Sequence, residues 1–405
     1  MKPRDSREYV MDKVLEDLTF ASTYCLSDAK FTKGSALINK WVALAFKSRV
    51  CLYEGTFRKY HSREPSSDKP WQAEYNADNK FLREAAAAAK EIMDKGPYSL
   101  VTGDVKTAYR SLFTSAGLLT QEVIFGREYS KELSAFHETS WYYYSPTYGA
   151  KIAMTKKFMN TYLTTRGTPF TDIDGYQTID FIREFDGRDA RMAQTVISPT
   201  YKMKISGRER LYSPNWKVTR TGYHPIKWSI DDDADNVLSK AASWNSLPIL
   251  RYAEVLLNYA EAVFERDGQI SDEDLAISLN LTRKRINPEM PDLTNDFVTA
   301  NNLDMRTEIR RERTIEFFDE NFRIDDLKRW KTAEDEMPMN LTGVKWKDTD
   351  FESRWPDASF KDKDGEGCII HEKGRNWHEK HYLLPLPTDQ LKLNSNLKQN
   401  PGWNQ

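Results

Sequence analysis

The sequence is poor in cysteine and has no long apolar run. Among its 405 residues are only Cys25, Cys51 and Cys368, too few for a disulfide framework and without the C-x-x-C or Cys/His spacing of a zinc site. No stretch approaches the ~18 apolar residues of a membrane-spanning helix. We therefore expect cysteines that are small core residues or free thiols, and no transmembrane segment.

A net charge of one sign is also lacking. Lysine and arginine number 59 against 61 aspartates and glutamates, which gives a formal charge of -2. Such a chain has no overall field that would attract nucleic acid or anionic lipid. We expect neither of them as a partner.

The amino-terminal residues lack the apolar segment of a secretion signal. The chain starts MKPRDSREYVMDKVLEDL, without an apolar core or a small-residue cleavage site. We expect either that the protein is cytosolic or that its beginning is missing.

Helical periodicity is clear in residues 1–97. Apolar residues recur at helical spacing from Ser6 to about residue 21, after Ser35 as a predicted N-cap, and in residues 81–92, where Lys95-Gly96-Pro97 ends the helix. Small residues such as Ala85, Ala88 and Ala89 would let helices approach closely. This favours tetratricopeptide-like helical hairpins, although no repeat of about 34 residues is visible.

Residues 98–247 differ in texture and are rich in aromatic residues, glycine, proline and threonine. Aromatic residues make up 12% of the whole chain. Long irregular segments in a compact protein are usually functional or disordered, and aromatic residues argue against disorder. We predict loops, short helices and a few short strands here, and a ligand-binding site among them.

Regular helices return in residues 248–405. Pro248 is predicted as a first-turn residue of a helix that ends before Gly268, and Ser271 as the N-cap of its hairpin partner. A further helix is predicted for residues 303–318, and the rest is loop-rich. The sequence therefore predicts a mainly α protein whose three regions pack as one unit.

Several charged groups resemble sites but have simpler interpretations. Opposite charges at helical spacing brace helices, so we predict structural ion pairs for the charged residues of the segment 309–330, and bonds to arginines or helix ends for Glu254 and Glu261. The run DDDADN at 231–236 lacks the glycine and the bidentate glutamate of a calcium loop, and the histidines near the end lack H-E-x-x-H spacing. We predict no metal site. The residues considered were Arg310, Arg311, Glu312, Arg313, Glu316, His371, His378 and His381.

No catalytic motif is visible. The sequence contains no G-x-S-x-G elbow, P-loop or G-x-G-x-x-G. A glycosidase needs two carboxylates on either side of a sugar, and the 61 acidic residues neither identify nor exclude such a pair.

Aromatic residues between helices have the chemistry of sugar binding. The C–H face of a pyranose lies on an aromatic ring while amides, acids or arginines bond its hydroxyls. Core packing is the alternative for each ring, since consecutive aromatics cannot all face a ligand. The candidates are Trp141, Tyr142, Tyr143, Tyr144, Tyr148, Tyr212 and Trp216, with Trp71 in an earlier loop.

Three segments together resemble the SusD/RagB family of outer-membrane proteins of Bacteroidota. Residues 247–262, LPILRYAEVLLNYAEA, are similar to its R-Y-A-E-x-x-L-x-Y-A-E-A helix, with N-x-x-R-x-R at 280–285. Residues 309–330 are similar to I-R-x-E-R-x-x-E-L-x-x-E-G-x-R-x-x-D-L-x-R-W, and residues 383–403 to the ending L-x-P-I-P…Q-N-P-G-Y/W. Asn321 stands where the family has glycine, and Ala190 where it often has proline.

The resemblance implies a fold and a function. It implies a SusD-like fold and a lipid-anchored protein on the outer membrane, without enzymatic activity or cofactor. Such a protein would bind oligosaccharides and pass them to a SusC-like TonB-dependent transporter. Family members begin with a signal peptide, a lipobox cysteine and further helices, so we expect an N-terminally truncated chain. Two rivals stay open: a tetratricopeptide-like module that binds polypeptide, and a glycan-active hydrolase.

Overall fold

The computed structural model describes residues 2–27, 37–64, 67, 69–71, 79–236, 242–337, 340–356, 358 and 361–403. Its helices are α1 (Arg7–Tyr24), α2 (Lys40–Tyr60), α3 (Lys80–Lys95), α4 (Ala108–Thr114), α5 (Thr139–Tyr144), α6 (Lys156–Met159), α7 (Ala190–Thr195), α8 (Asp233–Asn236), α9 (Tyr252–Asp267), α10 (Asp272–Ala276), α11 (Leu279–Lys284), α12 (Asn295–Ala300), α13 (Met305–Glu316), α14 (Arg323–Trp330), α15 (Ala333–Glu336), α16 (Phe351–Arg354) and α17 (Thr388–Leu393). Short 3-10 helices cover Phe170–Asp172, Tyr176–Thr178, Arg183–Phe185 and Glu379–Tyr382.

The strands are short and form two-stranded antiparallel sheets. They pair as β1 with β2, β3 with β6, β4 with β5, and β7 with β8. Their bounds are β1 (Arg63–Glu64), β2 (Lys69–Pro70), β3 (Val123–Arg127), β4 (Lys202–Ile205), β5 (Arg208–Leu211), β6 (Leu247–Arg251), β7 (Leu341–Lys345) and β8 (Cys368–Glu372). The predicted mainly α fold with few short strands is confirmed.

Local capping groups set the ends of the long helices. Ser6 caps α1 by accepting from the Tyr9 amide at 3.2 Å, and α3 ends at Lys95 before Gly96 as predicted. Helix α2 begins at Lys40, because the Asn39 side chain accepts from the amides of Trp41 and Val42. The predicted cap Ser35 lies outside the described residues.

Pro248 lies in a strand, so its predicted place in the first turn of a helix was wrong. It pairs with Gly126 across the β3–β6 sheet, a sheet of two edge strands, where a residue without an amide hydrogen is tolerated. The helix starts four residues later, at Tyr252, whose amide donates to the Glu122 carbonyl at 2.8 Å.

Small residues allow the long helices to pack closely. Helix α3 packs against α2 and α9, with Ala85, Ala89, Ala253 and Ala260 fully buried in the shared core. The Ser48 hydroxyl of α2 reaches the Ala85 carbonyl of α3 at 3.2 Å. The close approach predicted from the alanines is confirmed. No helix among the described residues is long and apolar enough to cross a membrane.

A buried ion network ties α13 to the rest of the chain. Arg191, Arg251 and Arg285 all reach the Glu316 carboxylate, at 2.6 to 2.8 Å. Two further pairs involve α9: Glu254 with Arg49, and Glu261 with Arg329. The predicted structural ion pairs are confirmed. Most of their partners lie on other elements, whereas Arg311 and Glu308 are an exception within α13.

The carboxy-terminal segment folds back on itself through its QNPGW ending. The Gln399 side chain bonds both backbone groups of Leu386, at 2.7 and 2.9 Å. The Asn400 amide donates to the Leu384 carbonyl at 2.6 Å, and the Trp403 indole to the Lys380 carbonyl at 2.9 Å. This recognised motif therefore has a structural role.

Candidate functional site

Buried side chains anchor one side of helix α5 to the rest of the protein, and its other side faces solvent. Ser140, Tyr143 and Tyr144 are buried. The Ser140 amide donates to the Ser243 hydroxyl at 3.0 Å, and the Tyr144 hydroxyl bonds that of Tyr201 at 3.0 Å. With about 3.6 residues per turn, these three anchors face one way.

The aromatic residues on the open side form a cluster that we call the aromatic platform, made of Trp141, Tyr142 and Tyr148. The Trp141 and Tyr148 rings lie 6.1 Å apart between centroids and within 17° of parallel, and the Tyr142 ring stands edge-on to Trp141 at 5.3 Å. Tyr148 is 74% exposed and Tyr142 41%, while Trp141 is half-buried. The platform therefore presents aromatic surface to solvent, mainly through Tyr142 and Tyr148.

A cavity of about 830 Å³ borders the same helix, within the usual size of small-molecule sites. It lies between α1, α2, β6, α5 and the turn that joins α13 to α14. Apolar walls come from Met11, Val50, Trp228, Pro248, Ile249 and Phe322. Polar groups come from Tyr53, Thr139, Asp319, Asn321 and Asp325, together with ion-paired arginines and acids.

Asp319 links the cavity to the platform helix. The Tyr143 hydroxyl donates to its carboxylate, and the Trp228 indole donates to its carbonyl at 2.9 Å. Asp319 as a whole residue is exposed, whereas its carboxylate accepts from the hydroxyl of the buried Tyr143 and is partly withdrawn from water. This desolvation raises the pKa of Asp319 to about 6, against the lowering effects of Tyr143 and Lys227.

The turn carrying Asp319 has an unusual backbone that the sequence hinted at. Asp319 and Asn321 have φ of 59° and 65°, in the left-handed region that glycine, asparagine and aspartate adopt most readily. Asn321 is the residue that replaces the glycine of the recognised motif, so the departure preserves the backbone while adding an amide to the cavity. Sequence reasoning noted the departure but missed Asp319, Asn321 and Asp325 as site residues.

The second departure from the family motif is Ala190 in place of proline, and it also has a structural explanation. Ala190 is the first residue of α7, a position where proline is common. Its amide donates to the Asn287 side chain at 2.8 Å, a bond that proline could not make.

The structure does not bring all predicted aromatics together. Trp216 is half-buried against another core cluster, with the Arg220 guanidinium 5.7 Å and the Lys361 ammonium 5.4 Å from its ring. Trp71 is 8% exposed, and its indole donates to the His61 carbonyl. Tyr143 and Tyr144 are buried anchors, and Tyr212 packs 5.7 Å from the Tyr144 ring. A role in sugar binding stays a prediction for every candidate aromatic residue. Exposure to solvent favours the platform residues over the others.

The acidic run at 231–236 is partly engaged by cations. Asp231 forms a bidentate pair with the buried Arg110 at 2.6 Å, and Asp232 pairs with Lys204 at 2.8 Å. The described ranges contain no group of three His, Cys, Asp or Glu side chains that could hold a metal ion. The charge of Asp231 therefore serves the fold.

Sequence comparison identifies the family. The model of the SusD family matches residues 121–403, which include the β3–β6 sheet, the ion network around Glu316 and the folded-back ending. This chain belongs to the SusD family. Within the matched range, Arg251, Arg285 and Glu316 of the recognised motifs build buried ion pairs. The comparison with curated proteins gives no match.

Solved structures agree with the SusD fold. A SusD-like protein from Bacteroides fragilis NCTC 9343 has 24% identity and a TM-score of 0.71, covering 99% of this chain and 72% of that one. A SusD-like carbohydrate binding protein from the same strain has 21% identity and a TM-score of 0.70, covering 98% and 72%. A structure with xylogluco-oligosaccharide has 17% identity and a TM-score of 0.61, covering 97% and 72%. At these identities the likeness establishes the fold.

Proposed function

We propose that this protein captures glycans at the cell surface without cleaving them. The observation that carries the proposal is the aromatic platform, in which Tyr142 and Tyr148 are exposed and Trp141 is half-buried, beside a helix whose opposite side is anchored. Large exposed aromatic groups usually mark a binding site. Membership of the SusD family and the carbohydrate-binding relative of the same fold support a sugar as the ligand.

The platform suits the apolar face of a pyranose. Stacking on a ring needs an accessible aromatic face and little side-chain ordering, since an aromatic side chain has only two χ angles. Trp141 and Tyr148 lie nearly parallel, so they would contact neighbouring units of one chain. Because the platform is held by Ser140, Tyr143 and Tyr144, binding would need no large rearrangement.

Transport is the expected purpose of capture. The family resemblance suggests a protein anchored by lipid to the outer membrane and associated with a SusC-like TonB-dependent transporter. Purification of a tagged protein from detergent-solubilised outer membranes tests both points, since the transporter should copurify. Recovery only from the cytosolic fraction, with no transporter, would refute the proposed location and partner.

Affinity electrophoresis on a panel of polysaccharides, including xyloglucan, tests capture itself. We expect retention by at least one glycan and no released oligosaccharide when the same glycans are incubated with the protein and analysed by chromatography. Cleavage would favour the hydrolase, and retention by no glycan would favour the peptide-binding module.

Substitution of platform residues locates the site. Loss of one stacking ring is worth about 0.5–1.5 kcal/mol, so Trp141→Ala and Tyr148→Ala should each weaken retention roughly two- to tenfold. The matched control is Tyr24→Ala on α1, which removes another exposed tyrosine. Trp216→Ala is run in parallel. Unchanged retention in both platform variants, with unchanged thermal stability, would place the site elsewhere.

A further inference from the structure

The cavity lies beside the platform on α5. Thr139 and Tyr143 are four residues apart, so they share the helix face that lines the cavity. Tyr142 lies between that face and Trp141 around the helix. A helix with its side chains is only about 10 Å across. The platform and the cavity therefore lie on adjoining sides of one short helix.

The cavity offers uncommitted hydrogen-bonding groups next to apolar walls. The hydroxyls of Tyr53 and Thr139 and the amide of Asn321 line it, and none of these groups is bonded within the part of the chain that the structure describes. Ile249 and Phe322 supply apolar surface. Sugars need this mixture, because each unit has both hydroxyls and a C–H face.

The positive charges in the cavity wall are neutralised by acids. Arg7 pairs with Glu54 and Arg49 with Glu254, each at 2.6 Å. Arg313 pairs with Asp326 at 2.9 Å, and Arg329 with Glu261 at 2.5 Å. Every arginine lining the cavity thus has a carboxylate partner, and none is left for an acidic ligand.

Two carboxylates that line the cavity form no ion pair among the described residues, although Lys227 lies near Asp319 and Lys328 near Asp325. Asp319 accepts only the neutral Tyr143 hydroxyl. Asp325, which is exposed, has no hydrogen bond or ion pair in the described ranges. Glu320, by contrast, is bonded by Lys227 and Arg251. In the described ranges, the cavity is therefore lined by two carboxylates outside ion pairs and by arginines that all have a carboxylate partner.

We infer that the cavity receives the glycan units next to the platform, and that Asp319 and Asp325 restrict those units to sugars without carboxylate or sulfate groups. The inference rests on the proposed glycan capture and names its substrate class. An anionic sugar would be placed beside two carboxylates with no arginine free to bind it, and such like-charge contacts discriminate strongly between partners.

The test compares one glycan in two forms. A neutral polysaccharide that the wild type retains is oxidised at its primary hydroxyls to carboxylates, and retention of both forms is measured well above the pKa of Asp319. We expect the wild type to bind the oxidised form roughly tenfold more weakly or worse. Asp319→Asn and Asp325→Asn should each reduce this difference, and the double variant should largely remove it, when the oxidised form is compared with the neutral form for each variant separately.

Controls separate the possible failures. Asp296→Asn, an exposed aspartate of α12 outside the cavity, should leave the discrimination unchanged. If the wild type prefers the oxidised form, or if the double variant discriminates as the wild type does while Trp141→Ala loses retention, the cavity inference is overturned and glycan capture stands. If no glycan in the panel is retained in either form, both are overturned.

Discussion

Glu316 shows how much a single buried residue contributes to this structure. Its carboxylate is fully buried and reached by Arg191, Arg251 and Arg285. Together these arginines hold the pKa of Glu316 far below its usual value, overcoming the desolvation that would raise it. Neutralising the residue would leave several buried guanidinium groups short of a partner.

We predict that Glu316→Gln lowers the free energy of unfolding by about 3–5 kcal/mol, because breaking a buried ion pair leaves uncompensated charge. Urea denaturation measures this. The control is Glu209→Gln, which breaks the exposed pair with Lys202 and should cost about 0–1 kcal/mol. Equal small effects would mean that the network contributes nothing beyond surface pairing.

The pKa of Asp319 is raised, whereas that of Glu316 is lowered. Its pKa of about 6 is held down by the Tyr143 hydroxyl and Lys227, and held up by desolvation and Glu320. Ionising it costs more in the folded protein than in the unfolded chain, so its contribution to stability falls as pH rises from about 4 to about 6.

We predict that Tyr143→Phe raises the pKa of Asp319 further, because the donated hydrogen bond is lost. Carboxyl carbon chemical shifts followed through a pH titration report this pKa directly, and Asp319→Asn assigns the signal. A pKa that stays the same or falls in Tyr143→Phe would show that the hydroxyl does not stabilise the carboxylate.

Side-chain direction at the site was only partly predictable. The sequence predicted that some of the consecutive aromatics at 141–144 would anchor the loop and some would face ligand, but not which. That choice depends on the axis of α5, which is set by bonds to Ser243 and Tyr201, far away in the sequence. The cavity residues were missed for the same reason, since α1, β6 and the turn after α13 meet only in the fold.

At the scale of elements, the backbone of β7 packs directly against the backbone at Thr221. The Val344 amide donates to the Thr221 carbonyl at 2.8 Å. A Cβ atom on Gly343 would overlap the Thr221 carbonyl oxygen and lie 2.7 Å from its carbon. Because both contacts are backbone, no side-chain rotation can relieve them.

We therefore predict that Gly343→Ala lowers the free energy of unfolding by about 1–3 kcal/mol, as overpacking does. Gly365→Ala is the control, since nothing lies within 4 Å of its Cβ, and it should change stability by no more than about 0.5 kcal/mol. Chemical denaturation compares them, and matching curves for the two variants would contradict the close approach.

Elements were predictable where local signals act alone. The helix start at Ser6, the cap at Ser271 and the stop at Gly96 hold, because each depends on neighbouring residues. Pro248 was misassigned because pairing with β3, over a hundred residues earlier, outweighs its preference for a first helical turn. The sequence predicted one hairpin partner after Ser271, whereas the structure divides this segment into two helices, α10 and α11.

At the scale of the molecule, ion pairs join the three regions drawn from the sequence. Arg49 of the first pairs with Glu254 of the third, and Arg191 of the second with Glu316 of the third. The division at residues 97 and 247 stays a prediction, and these pairs favour packing as one unit.

The central claim is that this SusD-family chain binds glycan through its aromatic platform and leaves it intact. The most direct measurement is affinity electrophoresis on a retained polysaccharide, with wild type, Trp141→Ala and Tyr24→Ala side by side and the recovered glycan sized by chromatography. The account predicts retardation of wild type and Tyr24→Ala, weaker retardation of Trp141→Ala, and glycan of unchanged length. Equal retardation of all three proteins, or shortened glycan, would contradict it.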